Sequence, residues 1–98
     1  MVVGSLRIEL HLPASRSLKA KRAELRPILD GVRARFPVAA AEVGGQDTWQ
    51  RSTLGFAAVS EGPAIVEKVL DDVERFVWSR PGVEVLSTER AWMEGDDR

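Results

Sequence analysis

The sequence predicts an α+β sandwich in which a four-stranded antiparallel sheet carries two helices on one face. Three observations predict it. Residues 2–12 alternate between apolar and polar side chains, the period-two signature of a half-buried strand. Two later segments carry apolar residues at three-to-four spacing, the mark of amphipathic helices. Between them, two strand-like runs are joined by so few residues that only an antiparallel hairpin can connect them. At 98 residues the chain is long enough to bury one core without disulfides or metals and too short for a second, so residues 1–98 form one domain.

In the first strand Gly4, Leu6, Ile8, Leu10 and Leu12 share one face, and Ser5, Arg7, Glu9 and His11 share the other. Pro13 ends it. Ser15 or Ser17 then caps a helix by accepting an orphan N–H of the first turn. Leu18, Leu25, Ile28, Leu29, Val32 and Phe36 form its stripe. Pro27 removes one helical donor and predicts a bend near Ala23, and Pro37 closes the helix.

Residues 38–43, Val-Ala-Ala-Ala-Glu-Val, read as the second strand, 44–47 as the turn, and 49–59 as the third strand. Gly62-Pro63 opens the second helix, with proline tolerated at the first helical position. Ile65, Val66, Val69, Leu70, Val73, Phe76 and Val77 are its stripe. Pro81-Gly82 stops it, and 83–92 is the fourth strand. The ordered core is expected over about 2–92, with 94–98 frayed. The order β-α-β-β-α-β with right-handed crossovers is a ferredoxin-like sandwich of strand order 4-1-3-2.

Composition removes many function classes. There is no Cys, Tyr or Asn, and His11 is the single histidine. Thiol chemistry, disulfides and cysteine metal sites are therefore excluded. A Ser-His-Asp arrangement would have to use His11, in mid-strand, with Ser5 far along the same strand. No catalytic residues, metal or cofactor are expected. No apolar run approaches the ~20 residues of a membrane span, and no signal-peptide core opens the chain, so a cytoplasmic protein without a membrane role is expected.

Charge is unevenly placed. Residues 16–35 carry seven basic side chains against Glu24 and Asp30, while 61–98 carry five basic against ten acidic. At 100° per residue, Arg16, Lys19, Arg22, Arg26 and Arg33 fall within a sector of about 120° beside the apolar stripe. Such a row can track phosphates, or it can be a solvated face whose stems cover apolar surface. Lys21 points toward the apolar sector, where it must snorkel or pair with a carboxylate. Trp78 lies off the second stripe, among Glu67, Asp71 and Glu74, a placement suited to an interface.

Residues 55–59, Gly-Phe-Ala-Ala-Val, approach the aromatic core of an RNA-recognition motif. Ala58 replaces its second aromatic, however, and Leu54, Phe56 and Ala58 read better as core-facing. Asp47, Gln50 and Arg51 form the only polar cluster an enzyme could use. The second strand is an edge in the 4-1-3-2 order, and its residues 38–43 carry no Lys, Pro or bulge signal, so a homodimer through this edge is expected.

Residues 4–13 (Gly-Ser-Leu-Arg-Ile-Glu-Leu-His-Leu-Pro), Ser17-Leu-Lys-Ala-Lys-Arg22, Arg35-Phe36-Pro-Val, Ala41-Glu-Val and Gln46-Asp-Thr-Trp-Gln-Arg51 resemble, in this order, the YlxP-like family, small bacterial proteins grouped as a domain of unknown function. The resemblance runs over about 2–92 and implies a ferredoxin-like fold. Family genes often adjoin those of translation initiation and ribosome maturation factors, which implies a translation-related role. Gly44-Gly45 departs from the bulkier pair of the family, and the resemblance carries over no catalytic residue. The function expected is a non-enzymatic factor that binds RNA or ribosomal particles through its first helix; the alternative is a homo-oligomeric protein-interaction module.

Overall fold

The period-two pattern of the first strand is realised in β1 (Val2–His11), where Leu6, Ile8 and Leu10 are fully buried while Arg7 is exposed. The structure is a computed structural model that describes residues 1–95. After β1 come α1 (Leu18–Arg35), β2 (Ala39–Gly44), β3 (Arg51–Ser60), α2 (Pro63–Trp78) and β4 (Glu84–Glu94). All pairings are antiparallel and the strand order is β2-β3-β1-β4. This is the ferredoxin-like sandwich the sequence predicts.

Both helices cover one sheet face. Leu25, Ile28 and Val32 of α1 and Val66, Leu70, Val73 and Val77 of α2 are buried against Leu6, Ile8, Leu54 and Phe56 of the central strands. Each buried aliphatic contributes about 1.5–3 kcal/mol. Phe56 is 2% exposed, so it is core and cannot stack a base in the manner of an RNA-recognition motif. α1 lies on the β2 side of the sheet, and α2 lies across β1 and β3 toward β4.

Of the two candidate caps, Ser17 is the one used. Its side chain accepts from the Ala20 N–H at 3.0 Å, a contact worth about 1 kcal/mol. Ser15 is fully buried and donates to the Ser17 carbonyl. α1 then runs unbroken through Pro27 to Arg35. At its far end Phe36 meets Phe76 of α2 edge-on, and the guanidinium groups of Arg35 and Arg80 lie 4.7 and 4.4 Å from the Phe76 ring centre.

The structure corrects three details of the sequence reading. β3 begins at Arg51, not at residue 49, which leaves Trp49 in the loop. β4 is paired as far as Glu94 with Val2, and the Gly95 N–H donates to the Met1 carbonyl at 2.9 Å; the rest of the tail expected to fray, 96–98, lies outside the described residues. The β2 edge is not bare. Arg33 reaches from α1 to the Ala40 carbonyl, and the register with β3 shifts between Glu42 and Gly44. A covering cation and an irregular register both discourage strand addition.

Candidate nucleic-acid interface

The basic segment divides into residues that hold the fold and residues that do not. Lys21 belongs to the first group. Its side chain is 1% exposed, and the ammonium donates to the carbonyls of Gly45, Thr48 (2.8 Å) and Arg51 (3.0 Å), with Glu42 Oε2 at 2.9 Å. A buried ammonium has three protons to satisfy and loses its hydration. Three carbonyls at one end of the β2–β3 connection satisfy the protons, and Glu42 balances the charge. Of the two alternatives for Lys21, pairing with a carboxylate is the one realised.

Gln50 ties the same connection to the loop after β1. Its amide donates to the carbonyls of Pro13 (3.1 Å) and Ser15 (3.2 Å), and its own carbonyl accepts from the Leu12 N–H at 2.9 Å. Residues 45–48 form a turn closed by the Thr48 N–H on the Gly45 carbonyl. Gly45 has φ +74°, and a Cβ there would stand 3.1 Å from the Arg51 carbonyl oxygen. Glycine removes both obstacles.

Two further cations are engaged. Arg33 pairs with Asp30 at 3.3 Å besides reaching Ala40, and Arg35 lies over Phe76. The side chains of Arg16, Lys19, Arg22 and Arg26 are all exposed and make no ion pair or hydrogen bond with any described residue. Arg22, Arg26 and Arg33 line one shallow groove between α1 and β2, with Glu42 on the strand side. Arg16 precedes the cap Ser17, so it stands in the loop before α1 and not on the helical face that the 100° projection gave it. Four of the five residues in the expected row are thus free, and Arg33 has a structural task.

Asp47, Gln50 and Arg51 do not meet as one polar site. Gln50 is turned to the loop after β1. Arg51 pairs across the sheet with His11 and lies near Glu9 on the uncovered face. Asp47 is exposed in the turn. On that uncovered face Thr53 donates to Glu9 at 2.7 Å, which holds the Glu9 carboxyl below the ordinary glutamate value, with Arg7 and Arg51 adding to the effect against partial burial. Among the described residues no three acidic or histidine side chains gather as metal ligands, and no helix is long and apolar enough to cross a membrane.

The opposite flank is acidic. Glu67 lies in a depression with Trp92 and Arg90, while Asp71 and Glu74 pair with Arg90 at 2.8 and 3.1 Å. Trp78 is exposed beside them, as its place off the stripe predicts. The signal for this division is the charge count of the two halves; the strand-like run that follows Trp49 hides its place in the loop.

The molecule is therefore a small α+β sandwich with a cationic flank along α1 and an anionic one along α2. Its residues 3–90 match the family model described as "Protein of unknown function (DUF503)", and the chain belongs to that family. Over 91 residues it is 41% identical to "Uncharacterized protein YlxP" of Bacillus subtilis (strain 168), an alignment covering 93% of this chain and 99% of that protein.

Proposed function

We propose that the protein is a cytoplasmic, non-enzymatic factor that binds RNA, free or within ribosomal particles, through Arg16, Lys19, Arg22 and Arg26. The observation that supports this reading is that these four cations have no partner among the described residues, whereas Lys21, Arg33 and Arg35 beside them do. Cations held for stability are paired or stacked. Cations left in water along one helix and the loop before it suit a polyanion, whose phosphates they neutralise with release of counterions. The translation-related role implied by the family resemblance agrees with this. The alternative is a homo-oligomeric protein-interaction module with no nucleic-acid role; the register shift in β2 and the Arg33 contact to Ala40 weigh against pairing through that edge.

Binding of single-stranded RNA measured against salt tests the proposal. Four neutralised phosphates give a slope of log affinity against log salt near −3. Arg22→Glu with Arg26→Glu should remove about half of that slope and most of the binding, with a stability change under ~1 kcal/mol because exposed charges contribute little to folding. A folded double variant that binds as tightly as the native chain overturns the reading. A pull-down from lysate with and without ribonuclease asks the same question of native partners.

A further inference from the structure

We propose that Trp49 is a base-stacking contact for single-stranded RNA, presented by a loop that Lys21 and Gln50 hold rigid; this rests on the RNA reading above and names the form of RNA bound. Trp49 is 55% exposed, so much of its apolar surface stays in water, at a free-energy cost that a loop free to rearrange would reduce. This loop is not free. On one side of Trp49 the Thr48 carbonyl accepts from Lys21 and the Thr48 N–H closes the turn on Gly45. On the other side Gln50 is fixed by both its side chain and its carbonyl to Leu12, Pro13 and Ser15. The backbone on either side of the indole is clamped, and the indole itself is left outside. A contact residue arranged in this way loses little conformational entropy on binding.

The surroundings identify the ligand. Gln50 Nε2 lies 3.2 Å from the Ser15 carbonyl, and Arg16 and Trp49 are the immediate neighbours of those two residues. Even a fully extended path between their Cα atoms is at most about 18 Å, the span of a few nucleotides. Lys19 and Arg22 continue the free cations from Arg16 along α1. An aromatic face beside unpaired cations is the combination that binds single strands, the ring taking a base and the cations the phosphates. The one carboxylate in this loop is Asp47. Trp78 and Trp92 are also exposed, but they stand with Asp71 and Glu74 and with Glu67 and Glu94, and the cations beside them, Arg75 and Arg90, are already in ion pairs. Trp49 is the one exposed indole among the described residues on the cationic side. A protein partner would also use tryptophan and arginine, but it does not require four cations without counter-charges.

The test uses the full chain with Trp78→Phe and Trp92→Phe, so that Trp49 is the sole fluorophore. An oligouridylate of about a dozen nucleotides and a duplex of equal length are titrated at about 50 mM salt. The single strand should quench Trp49 emission in step with binding, and the duplex should not. In the native background Trp49→Ala should weaken single-strand binding about tenfold without changing the salt slope, and Trp49→Phe should stay within about threefold of native. Trp49→Ala binding as tightly as the native chain overturns the proposal, as does equal binding of the duplex without quenching; in both cases the cationic surface survives. Failure of the native chain to bind either RNA removes the functional reading, and the stacking role with it.

Discussion

Lys21 Nζ lies 2.9 Å from Glu42 Oε2, with the lysine 1% and the glutamate 20% exposed. The pair joins α1 to the edge strand of the sheet, and the three carbonyls around the ammonium make it the centre of the β2–β3 connection. Removing one partner of such a pair costs more than the pair itself contributes, because the other is left desolvated. Lys21→Met keeps the apolar stem and strands the carbonyls of Gly45, Thr48 and Arg51. It should lower the unfolding free energy by about 3 kcal/mol in urea denaturation, with amide exchange in 45–51 rising first. Glu42→Gln keeps the carbonyls satisfied but leaves the buried ammonium without its counter-charge, and should also cost about 3 kcal/mol.

A second prediction concerns Gly4, on the core side of β1. A Cβ there would stand 2.5 Å from Val66 Cγ1 and 3.1 Å from both Leu70 Cδ1 and Trp92 Cζ3. Gly4→Ala should destabilise by about 1–3 kcal/mol through overpacking, seen as a lower Tm without loss of the strand signal in circular dichroism.

Gly45→Ala should act on the loop rather than on the core. The left-handed conformation costs an L-residue about 1–2 kcal/mol, and the added methyl crowds the Arg51 carbonyl. A matching loss of stability is expected in urea denaturation, with a shift in Trp49 emission. An unchanged spectrum would mean that the turn does not control the indole.

Glu9 sets an acid limit on stability. Its carboxyl is held below the ordinary glutamate value chiefly by the Thr53 hydroxyl. A group whose pKa is depressed by folding contributes stability above its unfolded pKa and loses it as pH falls through the folded one. Thermal unfolding followed from pH about 5 down to 2 should therefore show a fall that Thr53→Val and Glu9→Gln both flatten. An unaltered pH profile in both variants would remove Glu9 from the acid response.

Most of the fold was legible because its signals are local. The alternation in β1 and the stripes of α1 and α2 are properties of ten to twenty consecutive residues, and the strand order followed from the handedness of crossovers. The site was less legible because its decisive contacts are not local. That Lys21 points inward could be read from helical phase, but the carbonyls it meets lie 24–30 residues away and exist only once the hairpin has docked. Arg33 read as one more member of a basic row because nothing in its own turn shows that the Ala40 carbonyl is within reach. Nothing local keeps Arg16 off the helix, because Ser15 and Ser17 are equally good caps by type, and only packing buries Ser15. Trp49 fits the run that follows it, and only Gln50, turned to the loop after β1, takes it out of the strand.

The separation of charge between the two flanks constrains symmetry. A two-fold axis at the β2 edge would bring Arg22 and Arg26 of one copy toward the same residues of the other, and an axis at the β4 edge would do so with Glu67 and Asp71. Isologous pairing through either edge therefore works against its own field, and only a head-to-tail arrangement sets cations against carboxylates. Such a heterologous contact does not close on itself without a rotation that completes a ring. Screening reverses the comparison. Added salt shortens the Debye length to about 8 Å at 0.15 M, which relieves a like-charged dimer and weakens a polyanion complex. Self-association through β2 and RNA binding through α1 must therefore respond to ionic strength with opposite signs, so a single salt series distinguishes them.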